Sequence, residues 1–200
     1  LEPDMIMCSA MISACEKGAQ WERALRMLAG MRQRALELDV ISFNSAISAC
    51  EKGQQWGRAL QMWIEMQEQE LEPDVISFSA AISACEKGAQ WMQALELFAE
   101  MQRQELEPNV LSYNAAMSSC EKGGQWERAL VMLSKMLDQD FEPNVISFNA
   151  VISACEKRGE WVQTLLLLST MVQTSIEMDT ITCSAAISSC EKGGKWDTAL

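Results

Sequence analysis

The chain is 200 residues long, 48% hydrophobic and 22% charged, which supplies enough apolar material for a sizeable core and is too much for a disordered tail. Its 16 basic residues against 28 acidic ones leave a net charge of −12, so no global positive field draws it to nucleic acid or to an anionic membrane, and any basic site has to be local. Histidine is absent, which removes the side chain that most often serves as general acid, general base, zinc ligand or pH switch and counts against most enzymes.

The longest apolar runs fall short of the roughly 20 residues that cross a bilayer, and no basic-then-apolar leader opens the sequence, so a water-soluble chain is expected. A 35-residue repeat organises everything else. The triplet Cys-Glu-Lys begins at Cys15, Cys50, Cys85, Cys120, Cys155 and Cys190 with no insertion or deletion between copies. Tryptophan follows in frame at Trp21, Trp56, Trp91, Trp126, Trp161 and Trp196, and methionine at Met31, Met66, Met101, Met136 and Met171. Glu-Pro-Asp or Glu-Pro-Asn surrounds Pro3, Pro73, Pro108 and Pro143, while Leu38 and Met178 replace the proline in two copies.

In chain order each copy predicts a helix, a short turn and a second helix. From Val40 to Lys52 the apolar residues Val40, Ile41, Phe43, Ile47 and Cys50 share a helical face better than a strand. Asp39 is placed as its N-cap and Gly53 as its stop. The next helix carries Trp56, Leu60, Trp63, Ile64 and Met66, and ends before Pro73, because proline disfavours helix in the residue before it. Neither hairpin can bury both apolar faces alone, so the copies should stack. The sequence divides into five whole copies, Met5 to Asp39, Val40 to Asp74, Val75 to Asn109, Val110 to Asn144 and Val145 to Asp179, and a partial one from Thr180 that stops inside its second helix. A single repeat array is expected over residues 1–200.

The unit Val-Ile-Ser-Phe-Asn-(Ala/Ser)-Ala-Ile-Ser-Ala-Cys-Glu-Lys-Gly, followed by Gln-Trp-x-x-Ala-Leu, Met and Glu-Pro-Asp, resembles the pentatricopeptide repeat of the uniform 35-residue type along the whole chain. The tetratricopeptide repeat is the nearest competitor, but it is about 34 residues long with Trp early in its first helix, whereas here tryptophan opens the second. The resemblance implies an all-α, right-handed solenoid of stacked helix-turn-helix repeats with the first helices on the concave side. It implies single-stranded RNA as partner, one base per repeat, and a role in RNA processing, stability or translation in mitochondria or chloroplasts.

Numbering each copy from its first residue, the resemblance assigns base reading to positions five and 35. The pairs are Ser9 with Asp39, Asn44 with Asp74, Ser79 with Asn109, Asn114 with Asn144, and Asn149 with Asp179, and a partner for Ser184 would fall beyond Leu200. By the family rule these spell 5′-G-U-A-Y-U-R-3′. A carboxylate only accepts hydrogen bonds, matching the ring N–H of U and G, whereas an amide can also donate to the ring acceptors of C and A. The second residue of each copy, Ile6, Ile41, Ile76, Leu111, Ile146 and Ile181, would sandwich the bases. Lys17, Lys52, Lys87, Lys122, Lys157 and Lys192 would line the groove near the phosphates, although Glu16, Glu51, Glu86, Glu121, Glu156 and Glu191 beside them would repel phosphate.

Plainer roles exist for the same residues. Asp or Asn at position 35 is what any helix N-cap would choose, Lys near a helix end suits the macrodipole, and Ile at position two can be ordinary packing. Register favours the reading roles, since position 35 holds only Asp or Asn and position five only Ser or Asn. The repeat cysteines should stand about 10 Å apart, beyond disulfide reach, and read as packing in a reducing compartment. Cys8 and Cys183 fall at position four, where other copies carry Phe43, Phe78, Tyr113 and Phe148. With no Cys-x-x-Cys and no histidine, neither a metal site nor a cofactor is expected. The tryptophans read as packing, and Glu68 with Glu70 or Asp138 with Asp140 as solvated surface, so no enzyme is expected, nor a membrane or small-molecule partner. The alternative is an α-solenoid scaffold for protein partners, which the net charge of −12 would suit if the partner is basic.

Overall fold

The computed structural model describes residues 5–139 and 141–195. Pro3, Asp4, Asp140, Trp196 and the rest of the sixth copy's expected second helix lie outside them. The described residues form eleven helices and no strand: α1 (Met5–Lys17), α2 (Trp21–Gln33), α3 (Val40–Lys52), α4 (Trp56–Glu68), α5 (Val75–Lys87), α6 (Trp91–Arg103), α7 (Val110–Lys122), α8 (Trp126–Asp138), α9 (Val145–Arg158), α10 (Trp161–Gln173) and α11 (Thr180–Lys192). None is long and apolar enough to cross a membrane.

The N-caps explain where first helices begin. Asp39, in extended backbone, accepts the Ser42 N–H at 2.8 Å, and Asp74 accepts that of Ser77 at 2.8 Å. Asn109 accepts from Ser112 at 2.9 Å, Asn144 from Ser147 at 3.1 Å and Asp179 from Thr182 at 2.8 Å. Each cap satisfies a backbone donor that has no partner inside the helix and is worth about 1 kcal/mol.

At the other end the expected stop needs refinement. Helix α3 does end at Lys52, but Gly53 has φ −81°, and the left-handed residue is the next one, Gln54, with φ 57°. The same position is left-handed at Ala19, Ala89, Gly124, Gly159 and Gly194. Gly53 answers a close approach instead, because a Cβ there would sit 2.4 Å from the Trp21 ring. Gly88 meets Trp56 at 2.4 Å and Gly193 meets Trp161 at 2.3 Å in the same way. The tryptophan of one copy therefore lies on the glycine of the next, which explains why both recur at fixed spacing. Arg158 replaces this glycine in the fifth copy, where the helix runs one residue longer before turning at Gly159, φ 72°.

The helices fall into two compact units, Leu1–Ser112 and Tyr113–Leu200. In the first, α1 packs on α2 and α3, α3 on α4 and α5, and α5 on α6, while α2 and α4 each also touch the following copy's first helix. In the second, α9 packs against α8, α10 and α11, and α10 against α11. Each unit is a stack of helix-turn-helix layers, the architecture of an all-α solenoid. Phe43, Phe78, Tyr113 and Phe148 are fully buried, as are Met66, Met101 and Met136, each aromatic or Met side chain contributing on the order of 1.5–3 kcal/mol by leaving water. Second helices stand further apart. Arg32 bridges α2 to α4 through Glu65 at 2.8 Å, and a groove of about 540 Å³ separates α4 from α6.

Candidate nucleic-acid interface

Because the helix N-cap of each copy follows the first helix of the copy before it by stacking, positions five and 35 meet in space although 30 residues separate them. Asn44 donates from Nδ2 to Asp74 Oδ1 at 3.0 Å. Asn149 donates to both carboxylate oxygens of Asp179 at 3.1 Å. The Asn114 amide reaches Asn144 Oδ1 at 3.4 Å, and Ser79 Oγ lies 3.4 Å from Asn109 Oδ1 while donating to the Val75 carbonyl at 2.7 Å. The fifth pair meets through an intermediary. Ser42 donates to Asp39 at 2.6 Å, so the Ser9 hydroxyl, 2.8 Å from Ser42 Oγ, supplies the hydrogen of that contact. Ser184 is exposed on α11.

Capping and reading are compatible uses of position 35. The helix N–H takes Oδ1, so the other terminal atom does not serve the cap, although in Asp179 it also accepts from Asn149. That atom is a carboxylate oxygen in Asp39, Asp74 and Asp179 and an NH₂ group in Asn109 and Asn144, giving an acceptor in three copies and a donor in two. Burial pushes the Asp74 carboxyl up, but the Ser77 N–H, the Asn44 amide and the Ile76 N–H outweigh it and hold the group below the usual carboxylate range. Asp179 is also lowered, chiefly by the Thr182 N–H. Both stay ionised, and therefore acceptor-only, at neutral pH.

The aliphatic residues at position two are not in the core. Ile6, Ile41, Ile76, Leu111, Ile146 and Ile181 are 59–75% exposed, which rules out the packing role. The lysines are paired rather than merely flanked by acid. Lys52 meets Glu16 at 2.9 Å and Lys192 meets Glu156 at 2.5 Å, and Lys87 pairs with Glu51 and Lys157 with Glu121. Each lysine takes the carboxylate of the preceding copy, so the expected repulsion between Glu and phosphate becomes a competition for the lysine. Lys17 and Lys122 are exposed at the equivalent helix ends. The Lys192 contact comes first among the causes that hold the Glu156 carboxyl below the ordinary range.

Burial pushes the Cys50, Cys120 and Cys155 thiols up to about 11 and Cys85 to about 12, which makes them protonated packing groups. All eight cysteines are free, Cys183 being exposed. Among the described residues no cluster of His, Cys, Asp or Glu could hold a metal ion. The tryptophans from Trp21 to Trp161 are half-buried in the stack, and Glu68, Glu70 and Asp138 are exposed.

One contributor was missed in the sequence. Ser77 Oγ donates to Asn44 Oδ1 at 2.5 Å, Ser147 Oγ to Asn114 Oδ1 at 2.6 Å and Thr182 Oγ1 to Asn149 Oδ1 at 2.6 Å. The available signal was the hydroxyl residue at position three of five copies, Ser42, Ser77, Ser112, Ser147 and Thr182.

Comparison with known proteins follows the same periodicity. The pentatricopeptide repeat domain model matches residues 1–53, 26–88, 61–123 and 96–158, and the PPR repeat model matches 146–175. A search of curated proteins found no match. Among solved structures the chain is similar to the maize pentatricopeptide repeat protein PPR10 in complex with an 18-nt psaJ RNA element, at 22% identity and TM-score 0.69, over 98% of this chain and 27% of that one. It is similar to the PPR domain of Arabidopsis thaliana protein-only RNase P 1 in complex with tRNA, at 14% identity and TM-score 0.79, over 98% of this chain and 100% of that one. It also resembles A. thaliana nuclear protein-only RNase P 2, at 13% identity and TM-score 0.82, over 96% and 43% of the two chains. At these identities the likeness is one of fold, and the chain spans about a quarter of the length of PPR10.

Proposed function

Since the chain belongs to the pentatricopeptide repeat family, we propose that it binds single-stranded RNA sequence-selectively, one base per repeat, without catalysing a reaction. The observation that carries this reading is the meeting of positions five and 35, at 3.0 Å for Asn44 and Asp74, which makes each pair a small polar device whose position-35 residue keeps acceptor or donor capacity beyond its cap. In chain order Ser9–Asp39, Asn44–Asp74 and Ser79–Asn109 read G-U-A. Asn114–Asn144, Asn149–Asp179 and Ser184 read Y-U-R. The exposed aliphatic residue at position two packs on the faces of the bases, and the position-13 lysines contact phosphate when their carboxylate partners yield them. Membership of the family supports a role in mitochondria or chloroplasts, in RNA processing, stability or translation.

Fluorescence anisotropy with 5′-GUACUA-3′ and a scrambled control at two salt concentrations tests the proposal. Selective, salt-sensitive binding is expected, and equal affinity for both RNAs overturns the base assignment. A second reading, a scaffold for protein partners, is favoured by the groove between α4 and α6, where Leu60, Trp63, Ile64 and Leu97 lie beside Glu96 and Glu100. Absence of RNA binding even at low salt would favour that reading.

A further inference from the structure

We infer that the hydroxyl at position three of each copy is a specificity-positioning residue, locking the position-five asparagine of the preceding copy into one amide orientation. The inference rests on the base-reading assignment above and deepens it.

A serine or threonine hydroxyl has one hydrogen to give. Ser77 Oγ accepts the Asp74 N–H at 3.1 Å, which fixes the position of the oxygen and directs its hydrogen toward either Asn44 Oδ1, at 2.5 Å, or Asp74 Oδ1, at 2.9 Å. The shorter contact is the one to asparagine. Thr182 repeats the arrangement, accepting from Asp179 N–H at 3.3 Å, with Asn149 Oδ1 at 2.6 Å and Asp179 Oδ1 at 2.8 Å. Ser147 does so with Asn114 Oδ1 at 2.6 Å and Asn144 Oδ1 at 3.2 Å. In all three asparagine copies Oδ1 is therefore claimed by the hydroxyl, and Nδ2 must face position 35.

Serine copies behave differently. The Ser42 hydroxyl goes to Asp39, and Ser112 donates to the Asn109 carbonyl at 2.8 Å, so neither is committed to an asparagine. An unlocked amide can rotate by half a turn and exchange donor for acceptor, and a base facing it would see two patterns in place of one.

The three copies differ in what else holds the amide. Reversing Asn44 or Asn149 would set Oδ1 against the carboxylate of Asp74 or Asp179, an acceptor against an acceptor. Reversing Asn114 would set Oδ1 against the Asn144 Oδ1 that the cap holds, but that oxygen is uncharged and the contact is longer, at 3.4 Å, so the penalty is smaller. The lock therefore matters most at Ser147 and less at Ser77.

The test is competition binding of the whole chain to RNAs that carry each of the four bases opposite the altered copy. Ser147→Ala should cut the preference for pyrimidine over purine at the fourth nucleotide by about fivefold, and Ser77→Ala that at the second by about twofold, with preferences at the other nucleotides unchanged. Ser147→Thr should restore it, as Thr182 already does this work in its copy. Because both serines make the same cap contacts, a purely structural role predicts equal losses at the two sites, shared by all four bases, and that result overturns the inference. Preference that survives both alanine substitutions also overturns it. A wild-type chain indifferent to these two nucleotides overturns the base-reading assignment itself and this inference with it.

Discussion

Asn44 and Asp74 stand 30 residues apart in sequence and 3.0 Å apart in space, joined from amide to carboxylate by the stacking of one copy on the next. Asp74 also caps the helix that follows it. Replacing it with Asn keeps the cap, since the two residues cap helices almost equally well, and Asn114 with Asn144 shows that the stack accepts an amide pair. Asp74→Asn should therefore leave the melting temperature nearly unchanged and move the second-nucleotide preference from U toward C by about tenfold, roughly one hydrogen bond in each direction. Asn44→Ser should instead move it toward G. Competition binding with the four variant RNAs checks both, and an unchanged preference would remove this pair from base reading.

The Lys–Glu ladder makes a second prediction. Glu51→Gln frees Lys87 from its partner and removes one negative charge, so RNA affinity should rise and its salt dependence steepen. Neutralising Lys87 and Lys122 together should weaken all RNAs alike and flatten the slope by roughly 0.7 per lost phosphate contact. Titrations from low to moderate salt decide it. An unaltered slope in the double variant would mean that those lysines never touch the backbone.

Gly88→Ala tests the stacking contact. Its new methyl would fall 2.4 Å from the Trp56 ring and 2.8 Å from the Trp56 Cβ, so the whole indole must shift. Overpacking of this kind costs about 1–3 kcal/mol, and urea unfolding should show the loss. The same change at Gly57, which has nothing within 4 Å of its Cβ direction, serves as the control and should be neutral or slightly stabilising.

Acid should loosen the stack through its caps. Asp74 and Asp179 have folded values below their ordinary ones, so their contribution is present above the unfolded value, about 4, and is lost as pH falls through the depressed folded value. Melting temperature should be level from neutral pH to about pH 5 and decline below about pH 4. Asp74→Asn cannot be protonated there, so its melting temperature should fall less than that of the parent chain as pH drops below about 4.

Much of this architecture was legible in the residues. The repeat of Cys-Glu-Lys, Trp and Pro at 35-residue intervals announces identical layers, and within each layer the spacing from Val40 to Cys50 is helical, so existence and type of the helices and the limits of the first one followed from local chemistry, whereas the second ends at Glu68, well before Pro73. Asp39 as a cap also followed, because capping depends on neighbours three residues away. Gly53 was placed correctly as the end of a helix and explained incompletely. Its cause is the Trp21 ring of the previous copy, and no local rule contains that contact.

Residue type and short-range spacing were enough for the period, the helix-turn-helix unit, the protonatable inventory and the family. Which side chains meet depends on how the layers stack. Stacking brought Asn44 to Asp74 and Ser77, turned Glu16 from a repelling neighbour of the lysine row into the partner of Lys52, and left Ile41 in solvent instead of the core. Contacts across 30 to 36 residues arise only when one layer is set on another, because the distance and rotation between layers are properties of packed surfaces and not of any single segment.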